Sequence, residues 1–184
     1  MPQANATFDD LVLGPPISAR SCGACVACCK IPEIDEPTLK KKSGTLCPNC
    51  TGTSCGIYEN RPATCQSYYC VWRRVAALPD YLRPDLINVM FDLARPKPAQ
   101  NLLTKLYIRG IAYNSWEDFL SPGVAKALEV FKRGKLPVWL YLGDRMRLAH
   151  PSDEIAAAIL RGVRPKSAAV AVEVAEWIQF HSRF

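Results

Sequence analysis

The segment that dominates this chain is Cys22-Gly23-Ala24-Cys25-Val26-Ala27-Cys28-Cys29, which places four thiols within eight residues. Five more cysteines follow at positions 47, 50, 55, 65 and 70, and residues 71–184 contain none. Thiols at positions i, i+3 and i+6 can converge on one point from a tight turn, as the ligands of a metal centre do. The sequence therefore predicts that the chemistry of this protein is confined to one cysteine-rich segment.

The cysteine count and the start of the chain favour metal ligation over disulfide bonds. Residues 1–10 contain neither a basic region nor an apolar stretch of the secretory type, so we expect no export signal and a cytoplasmic location. Thiols stay reduced there, and nine is an odd number, whereas disulfide frameworks usually use an even one. No apolar run approaches the ~20 residues of a membrane span, so we expect no membrane partner.

The formal charge of +6 gives little support to nucleic-acid binding. Metal-bound cysteines are thiolates, and each tetrathiolate site holding Zn²⁺ or a doubly charged cubane core would lower the net charge by about two. We interpret Lys40-Lys41-Lys42 as a solvated loop. A nucleic-acid-binding zinc module remains the least favoured alternative, and its only indication is Arg73-Arg74 beside Trp72.

A change of composition after Trp72 divides the chain. Residues 1–19 are predicted to be an irregular lead-in, residues 20–72 the cysteine-cluster metal-binding region, and residues 73–184 a small α/β core. The middle region is rich in Gly, Pro, Thr and Asn and has too few apolar residues to fold alone, so its order should depend on metal. The predicted fold class is α+β: an irregular, metal-stapled cysteine-rich lobe packed on a small mixed α/β core as one compact unit.

Apolar periodicity and turn residues predict the elements of the core. Gly143-Asp144 should connect a hairpin, Ser152 and Ser167 should begin helices, and Ser115 with Asp118 resembles a helix start. The last helix should bury a stripe formed by Val170, Val174, Trp177 and Ile178. The predicted strands are 86–93, 102–108, 138–142 and 145–149, and the predicted helices are 122–132, 152–161 and the segment from 167 onward.

Two kinds of metal site are compatible with the cysteine spacing. Cys25-x2-Cys28 and Cys47-x2-Cys50, separated by eighteen residues, form a four-thiolate zinc pattern of the ribbon type. Alternatively, the triplet that begins at Cys22 can bind three corners of an iron–sulfur cubane, with a remote fourth thiolate such as Cys47, which Pro48 follows. The spacing alone leaves both alternatives open.

The cysteine segment also resembles a known family of small proteins with a C-x2-C-x2-C-C motif, described as zinc- or iron-chelating domains. Cys22, Cys25, Cys28 and Cys29 match this motif, and Cys47 fits the middle cysteine of the family. The stretch Cys55-Gly56-Ile57-Tyr58-Glu59-Asn60-Arg61-Pro62-Ala63-Thr64-Cys65 resembles a second signature, C-x-I-Y-x-x-R-P-x-x-C, and Cys70 fits its trailing cysteine. The resemblance covers residues 20–72, under a third of the chain.

The resemblance implies a ligand set that leaves Cys50 out and therefore weakens the zinc-ribbon interpretation, which needs Cys50. It slightly favours an iron–sulfur cluster over zinc as the cofactor. The family includes a flagellin lysine methylase associated with such a cluster, so an enzyme that modifies a protein side chain is the alternative function. The eight implied ligands are Cys22, Cys25, Cys28, Cys29, Cys47, Cys55, Cys65 and Cys70.

Other residues are assigned supporting roles or none. Arg61 is predicted to contact the cofactor by donating to a cluster sulfur, with a surface arginine as the alternative, and Tyr58 is predicted to pack over the site or in the core. His150 and His181 lie far from the cysteines in sequence, so we do not expect them to be ligands. The sequence contains no glycine-rich phosphate loop and predicts no particular protein partner.

Overall fold

The computed structural model describes residues 7–184 and has an α+β fold. A first, two-stranded sheet lies in the cysteine region, and a second, four-stranded sheet forms the centre of the core. The strands are β1 (Ile34–Glu36), β2 (Leu39–Lys41), β3 (Val89–Ala94), β4 (Tyr107–Ala112), β5 (Val138–Leu142) and β6 (Arg145–His150). The helices are α1 (Phe8–Leu13), α2 (Ala27–Lys30), α3 (Ala63–Ser67), α4 (Val71–Arg74), α5 (Pro84–Ile87), α6 (Pro122–Phe131), α7 (Asp153–Arg161) and α8 (Ala168–His181). Short 3₁₀ helices occupy Tyr58–Asn60, Asp80–Leu82, Leu102–Thr104 and Trp116–Leu120.

The four-stranded sheet has the strand order β3-β4-β5-β6. Its first and last pairs are antiparallel, whereas β4 and β5 are parallel. A parallel pair needs a crossover connection, and α6 lies in this crossover. Because β3 is the first strand in this order, it lies at one edge of the sheet. The cysteine region contacts the core at this strand.

The two faces of the sheet pack against different parts of the chain, because successive strand side chains point to opposite faces. Val89 and Phe91 belong to an apolar cluster that includes residues of α4 and α6. Met90 instead packs against Ala27 and Ile31 of the cysteine region. Farther along the sheet, Trp139 contacts the cluster formed by α7 and α8. The cysteine region and the C-terminal helices thus cover separate parts of the sheet.

Gly110 allows β3 and β5 to pack closely on either side of β4. It pairs with Phe91 on one side and with Leu140 on the other. A Cβ atom at this position would lie 2.7 Å from the Phe91 ring and 3.0 Å from Leu140 Cδ2. Both neighbours are buried side chains that cannot move away freely, so the close packing of the sheet requires glycine here.

The sequence predicted the helix starts and the hairpin in the second half of the core correctly. Helices α6, α7 and α8 begin directly after Ser121, Ser152 and Ser167, and the Oγ atoms of Ser121 and Ser167 accept hydrogen bonds from backbone amides of the first turn. Helix α7 ends at Gly162, which has φ of 66°. The hairpin around Gly143 also forms as predicted, with the strand bounds given above.

Several other predictions about local structure were wrong. The predicted strand 86–93 begins as helix α5, and Asn88, with φ of 54°, separates this helix from β3. The predicted strand 102–108 begins as a 3₁₀ helix, so β4 starts later. In α8, Ile178 is exposed, and the buried face is formed by Val174, Trp177 and His181. Ser115 and Asp118 do form a capping box, but they cap a 3₁₀ helix.

The predicted irregular lead-in over residues 1–19 also contains a helix. Thr7 and Asp10 form a capping box at the start of α1, which ends before Gly14. The buried Arg74 anchors this helix, because its guanidinium pairs with Asp10 and donates to the Gly14 carbonyl at 3.1 Å. Residues 1–6 lie outside the described residues. For this part of the chain, the predicted irregular lead-in and the expected absence of an export signal stay predictions. Between residues 7 and 184, no helix is both long and apolar enough to cross a membrane.

Replacing Gly110 with alanine should destabilise the sheet. We expect Gly110→Ala to lower the free energy of unfolding by about 1–3 kcal/mol, because the new methyl group overpacks against Phe91 and Leu140. Urea denaturation monitored by tryptophan fluorescence measures this change. The control is Gly134→Ala at an exposed site, where the nearest atom to the new methyl group lies 3.5 Å away. Equal stability of the two variants would contradict the close packing at Gly110.

Candidate metal centre

Eight of the nine thiols line a single cavity of about 640 Å³ in the cysteine region. All nine cysteines are free thiols, and Cys50 is the one outside the lining of this cavity. Met90 of β3 and Pro84 of α5 close the cavity on the side of the core. The lining thiols are the same eight that the family resemblance implied: Cys22, Cys25, Cys28, Cys29, Cys47, Cys55, Cys65 and Cys70.

A tight turn and a short helix position the N-terminal thiols. The backbone amide of Cys25 donates to the Cys22 carbonyl at 2.9 Å, which folds the Cys-x2-Cys segment back on itself. The next two thiols, Cys28 and Cys29, are carried by α2. This helix is anchored by the buried side chain of Ala27, which packs with Met90 of the core sheet. The core sheet thereby fixes the position of the whole N-terminal motif.

Backbone hydrogen bonds bring the middle thiols to the same cavity. The amide of Cys47 donates to the Cys29 carbonyl at 2.8 Å, and the amide of Cys50 donates to the Cys47 carbonyl at 3.0 Å. Cys50 and Cys55 form an isolated antiparallel bridge, so the intervening loop returns toward the cavity. The side chain of Cys50 accepts a hydrogen bond from the Gly52 amide at 3.4 Å. Cys50 thus contributes to the loop that presents Cys47 and Cys55.

The last two thiols come from helical segments after Pro62. Cys65 lies in α3, and Cys70 is the N-cap residue of α4. Cys70 packs against both Met90 and the main apolar cluster, whose members include Val71 and Trp72. The last thiol is therefore fixed by the same edge of the sheet that anchors α2.

Burial favours the protonated form of several of these thiols. It raises the pKa of Cys25 to about 11 and that of Cys70 to about 12. The pKa of Cys65 is also raised, first by burial and then by the neighbouring Cys47 thiolate. A hydrogen bond with Cys28, together with burial, raises the pKa of Cys29. A metal cation that binds here would displace these protons and stabilise the thiolates.

Two arginines contribute hydrogen-bond donors to the wall of the cavity. Arg61 stacks on Tyr58, with its guanidinium carbon 3.7 Å from the ring centroid, and Tyr58 is 57% exposed and so does not belong to the core. Within residues 7–184, no hydrogen-bond partner is found for the buried Nε of Arg61 or for the buried Nε and Nη1 of Arg73. Unpaired buried donors are costly, so their presence beside thiolates fits an anionic thiolate–metal assembly.

Lys41 supplies a further positive charge and differs from the solvated residue that we predicted. It is 8% exposed, and its ammonium group donates to the carbonyls of Lys30, Pro32 and Lys42. Lys40 and Lys42 are exposed, as expected of a solvated loop. Burial lowers the pKa of Lys41, whereas neighbouring cysteine thiolates, Cys47 foremost, raise it. The lysine run therefore also has a structural role in the cysteine region.

An ion pair lies in the core sheet beneath the cavity. Arg109 donates to both carboxylate oxygens of Asp92, with distances of 3.0 and 2.7 Å. Tyr68, which lines the cavity, donates to Met90 Sδ at 3.4 Å and lies 3.5 Å from Asp92 Oδ2. Burial raises the pKa of Asp92, although the hydrogen bonds from Arg109 oppose this. The pair joins β3 to β4 directly below Tyr68.

The two histidines lie away from the cavity and are part of the core. Nε2 of His150 lies 3.2 Å from the Gly134 carbonyl, and Nε2 of His181 lies 2.8 Å from the Lys135 carbonyl. Both rings contact Trp177. Neither histidine lines the cavity that contains the thiols.

The structure also removes the sequence feature that favoured nucleic-acid binding. Trp72 and Arg74 are buried, and Arg74 pairs with Asp10. The buried nitrogens of Arg73 belong to the wall of the cavity. Two of the three residues that indicated nucleic-acid binding are therefore buried in the protein.

The thiols share a cavity but are not drawn tightly together. Among residues 7–184, no group of three or more His, Cys, Asp or Glu side chains lies close enough to hold one metal ion. The donor set nevertheless fits a thiophilic group, since eight thiols and two arginines face one space. Binding would require the thiols to approach one another.

Sequence reasoning missed the roles of Arg73, Lys41, Tyr68 and Asp85. The carboxylate of Asp85 accepts two hydrogen bonds from the Arg83 guanidinium, at 2.6 and 2.9 Å. Asp85 also hydrogen-bonds with Cys25, and this contact raises the pKa of Cys25 and lowers that of Asp85. Only the closeness of Arg73 to Cys70 in the sequence could have indicated that this arginine lies near the thiols. Apart from the Arg83–Asp85 pair, the other contacts join residues far apart in the chain, so no local pattern reveals them.

Comparisons with known proteins give no assignment: the chain matches no protein-family model, no curated protein and no solved structure. The resemblance to the C-x2-C-x2-C-C family therefore rests on the motifs themselves.

Removing Arg109 should leave a buried carboxylate without its partner. We expect Arg109→Met to lower the free energy of unfolding by about 3 kcal/mol, as measured by urea denaturation. The exposed pair Lys126–Glu129 provides the control, and Lys126→Met should cost less than about 1 kcal/mol. Adding Asp92→Asn to Arg109→Met should recover part of the loss, since the carboxylate charge is then gone. A double variant no more stable than Arg109→Met would refute the ion-pair explanation.

Proposed function

We propose that this protein binds metal through its cysteine cluster, with thiolates holding an iron–sulfur cluster or zinc. The observation that carries this proposal is the cavity lined by eight thiols. Thiolates are the preferred protein ligands of zinc, cuprous ions and iron–sulfur clusters. When bound, such a group would supply either a structural crosslink or electron-transfer chemistry, depending on its identity.

The surroundings of the thiols support an occupant with net negative charge. The cavity wall includes Arg61 and Arg73, whose buried N–H groups lack partners among the described residues, and Lys41 lies beside several of the thiols. Four thiolates around Zn²⁺ or around a doubly charged cubane core carry a net charge of about −2. The cationic side chains would offset this charge and donate hydrogen bonds to the sulfur atoms.

A reducing compartment suits this chemistry, so we propose a cytoplasmic location. Metal binding needs thiolates, and disulfide bonds among these cysteines would consume them. Burial of Cys25 and Cys70 beside the core also limits their access to oxidants.

Elemental analysis of anaerobically purified protein tests the proposal and identifies the group. Iron and sulfide in equal amounts, with broad absorbance near ~400 nm, would identify a cluster. A colourless protein that contains only zinc would rule the cluster out. Protein that contains no metal and does not take any up from added Zn²⁺ or ferrous iron with sulfide would overturn the proposal.

Removal of metal should loosen the cysteine region more than the core. Residues 20–72 contain few regular elements, so much of their order would depend on the metal–thiolate bonds. After chelation under reducing conditions, we expect limited trypsin digestion to cleave in this region at least about tenfold faster, while residues 84–181 stay protected. Mass spectrometry of the fragments locates the cuts. Unchanged cleavage after verified metal loss would contradict this dependence.

Substitution of Cys50 separates the two ligand sets that the sequence left open. Cys28 belongs to both sets, whereas only the zinc-ribbon pattern needs Cys50. Because Cys50 lies outside the cavity lining, we expect Cys50→Ser to keep its metal content and Cys28→Ser to lose metal and thermal stability. Metal stoichiometry and thermal unfolding of the two variants are measured side by side. Equal metal loss in both would support the ribbon pattern.

A further inference from the structure

The eight thiols of the cavity fall into two groups with different surroundings. Cys25 and Cys70 pack against the cluster that contains Met90. Cys29 and Cys65 instead pack with the buried Cys47 in a separate cluster, which also contains Ile34 of β1 and Leu39 of β2. Cys50 packs in this cluster as well but lies outside the cavity lining. The apolar contacts of the thiols thus define one group beside the core sheet and another beside the β1–β2 hairpin.

The boundary between the groups falls between Cys28 and Cys29. Successive residues of an α-helix are rotated by about 100°, so neighbouring side chains on α2 point in different directions. Cys29 belongs to the hairpin cluster, and its carbonyl accepts the hydrogen bond from Cys47. Cys28 is exposed and does not pack in that cluster. Cys29 therefore belongs to the hairpin side, and Cys28, which lies outside that cluster, is left for the core side.

The remaining thiols join these groups through the backbone and by proximity. Cys22 is tied to Cys25 by their backbone hydrogen bond of 2.9 Å. Cys55 is brought toward Cys47 by its bridge to Cys50.

We propose that the cavity holds two separate metal centres with four thiolates each, an inference that rests on the proposed metal-binding function. A tetrahedral zinc site or a cubane cluster takes four thiolates, so eight converging thiols are enough for two. The core-side centre uses Cys22, Cys25, Cys28 and Cys70, and the hairpin-side centre uses Cys29, Cys47, Cys55 and Cys65.

Each centre has its own charged neighbour. Lys41 lies two residues after the packed Leu39 in β2, on the same side of the strand, and is beside the hairpin-side thiols. Its ammonium group is fixed by three backbone carbonyls. On the core side, Arg83 and Asp85 form a bidentate pair beside Cys22 and Cys25. Lys41 and the Arg83 guanidinium would each place a hydrogen-bond donor beside one of the two centres.

Zinc titration of the full chain tests the number of centres. Metal-free, reduced protein is titrated with Zn²⁺, and the remaining reactive thiols are counted with a disulfide reagent. We expect two zinc ions per chain, with eight thiols protected and Cys50 still reactive. One zinc ion per chain with about four protected thiols would overturn the two-centre inference and keep the metal-binding function. No zinc binding, and no uptake of iron with sulfide, would refute both.

Two serine variants test which thiols belong together. Cys22 and Cys55 lie outside the apolar clusters, so serine at these positions should disturb packing little. We expect Cys22→Ser and Cys55→Ser each to bind half as much zinc as the parent protein, and the double variant to bind none. The control is Cys50→Ser, which removes a thiol that packs in the hairpin-side cluster but lies outside the cavity lining, and this variant should keep both ions.

The variants also overturn the division if it is wrong. Full zinc content in Cys22→Ser or Cys55→Ser would place that thiol outside its group. Retention of one ion by the double variant would show that both thiols serve the same centre. Should either variant fail to fold, the zinc and thiol counts of the parent protein still decide the number of centres.

Discussion

The contact between α2 and the edge strand β3 is the constraint on which the arrangement of the cysteine region depends. Ala27 and Ile31 pack against Met90, and two of the thiols, Cys25 and Cys70, pack in the same cluster. The cysteine region is too poor in apolar residues to form a large core of its own, so it uses one face of the sheet as a support. Backbone hydrogen bonds from Cys25 to Cys22 and from Cys47 to Cys29 then place further thiols relative to that support.

The sheet can provide this support because it is itself tightly fixed. Gly110 lets β3 and β5 pack closely against β4, and the Asp92–Arg109 pair joins β3 to β4 on the face that carries Met90. A buried ion pair of this kind adds little net stability, but it is costly to break and so favours one register of the two strands. That register places Met90 and Tyr68 under the cavity.

Two features of the cavity each cost free energy unless a bound group compensates for them. The cavity contains thiols whose burial opposes ionisation, and it contains buried arginine nitrogens that lack partners among the described residues. A metal cation held by thiolates would resolve both, since the cation stabilises the thiolates and the negatively charged assembly accepts hydrogen bonds from the arginines. The proposed function thus accounts for features that an empty pocket would leave unexplained.

The sequence by itself confined the cysteines to one segment and indicated where α6, α7 and α8 begin, and the family resemblance singled out the eight cysteines that line the cavity. These features depend on residue type and short spacing, which a sequence displays directly. Only the tertiary structure decided that Lys41 is buried, that Arg73 lines the same cavity as the thiols, and that Cys29 packs with Cys47 beside the β1–β2 hairpin. The reason is physical: burial and side-chain direction arise from contacts between residues far apart in the chain, such as Cys70 with Met90, which no local pattern encodes.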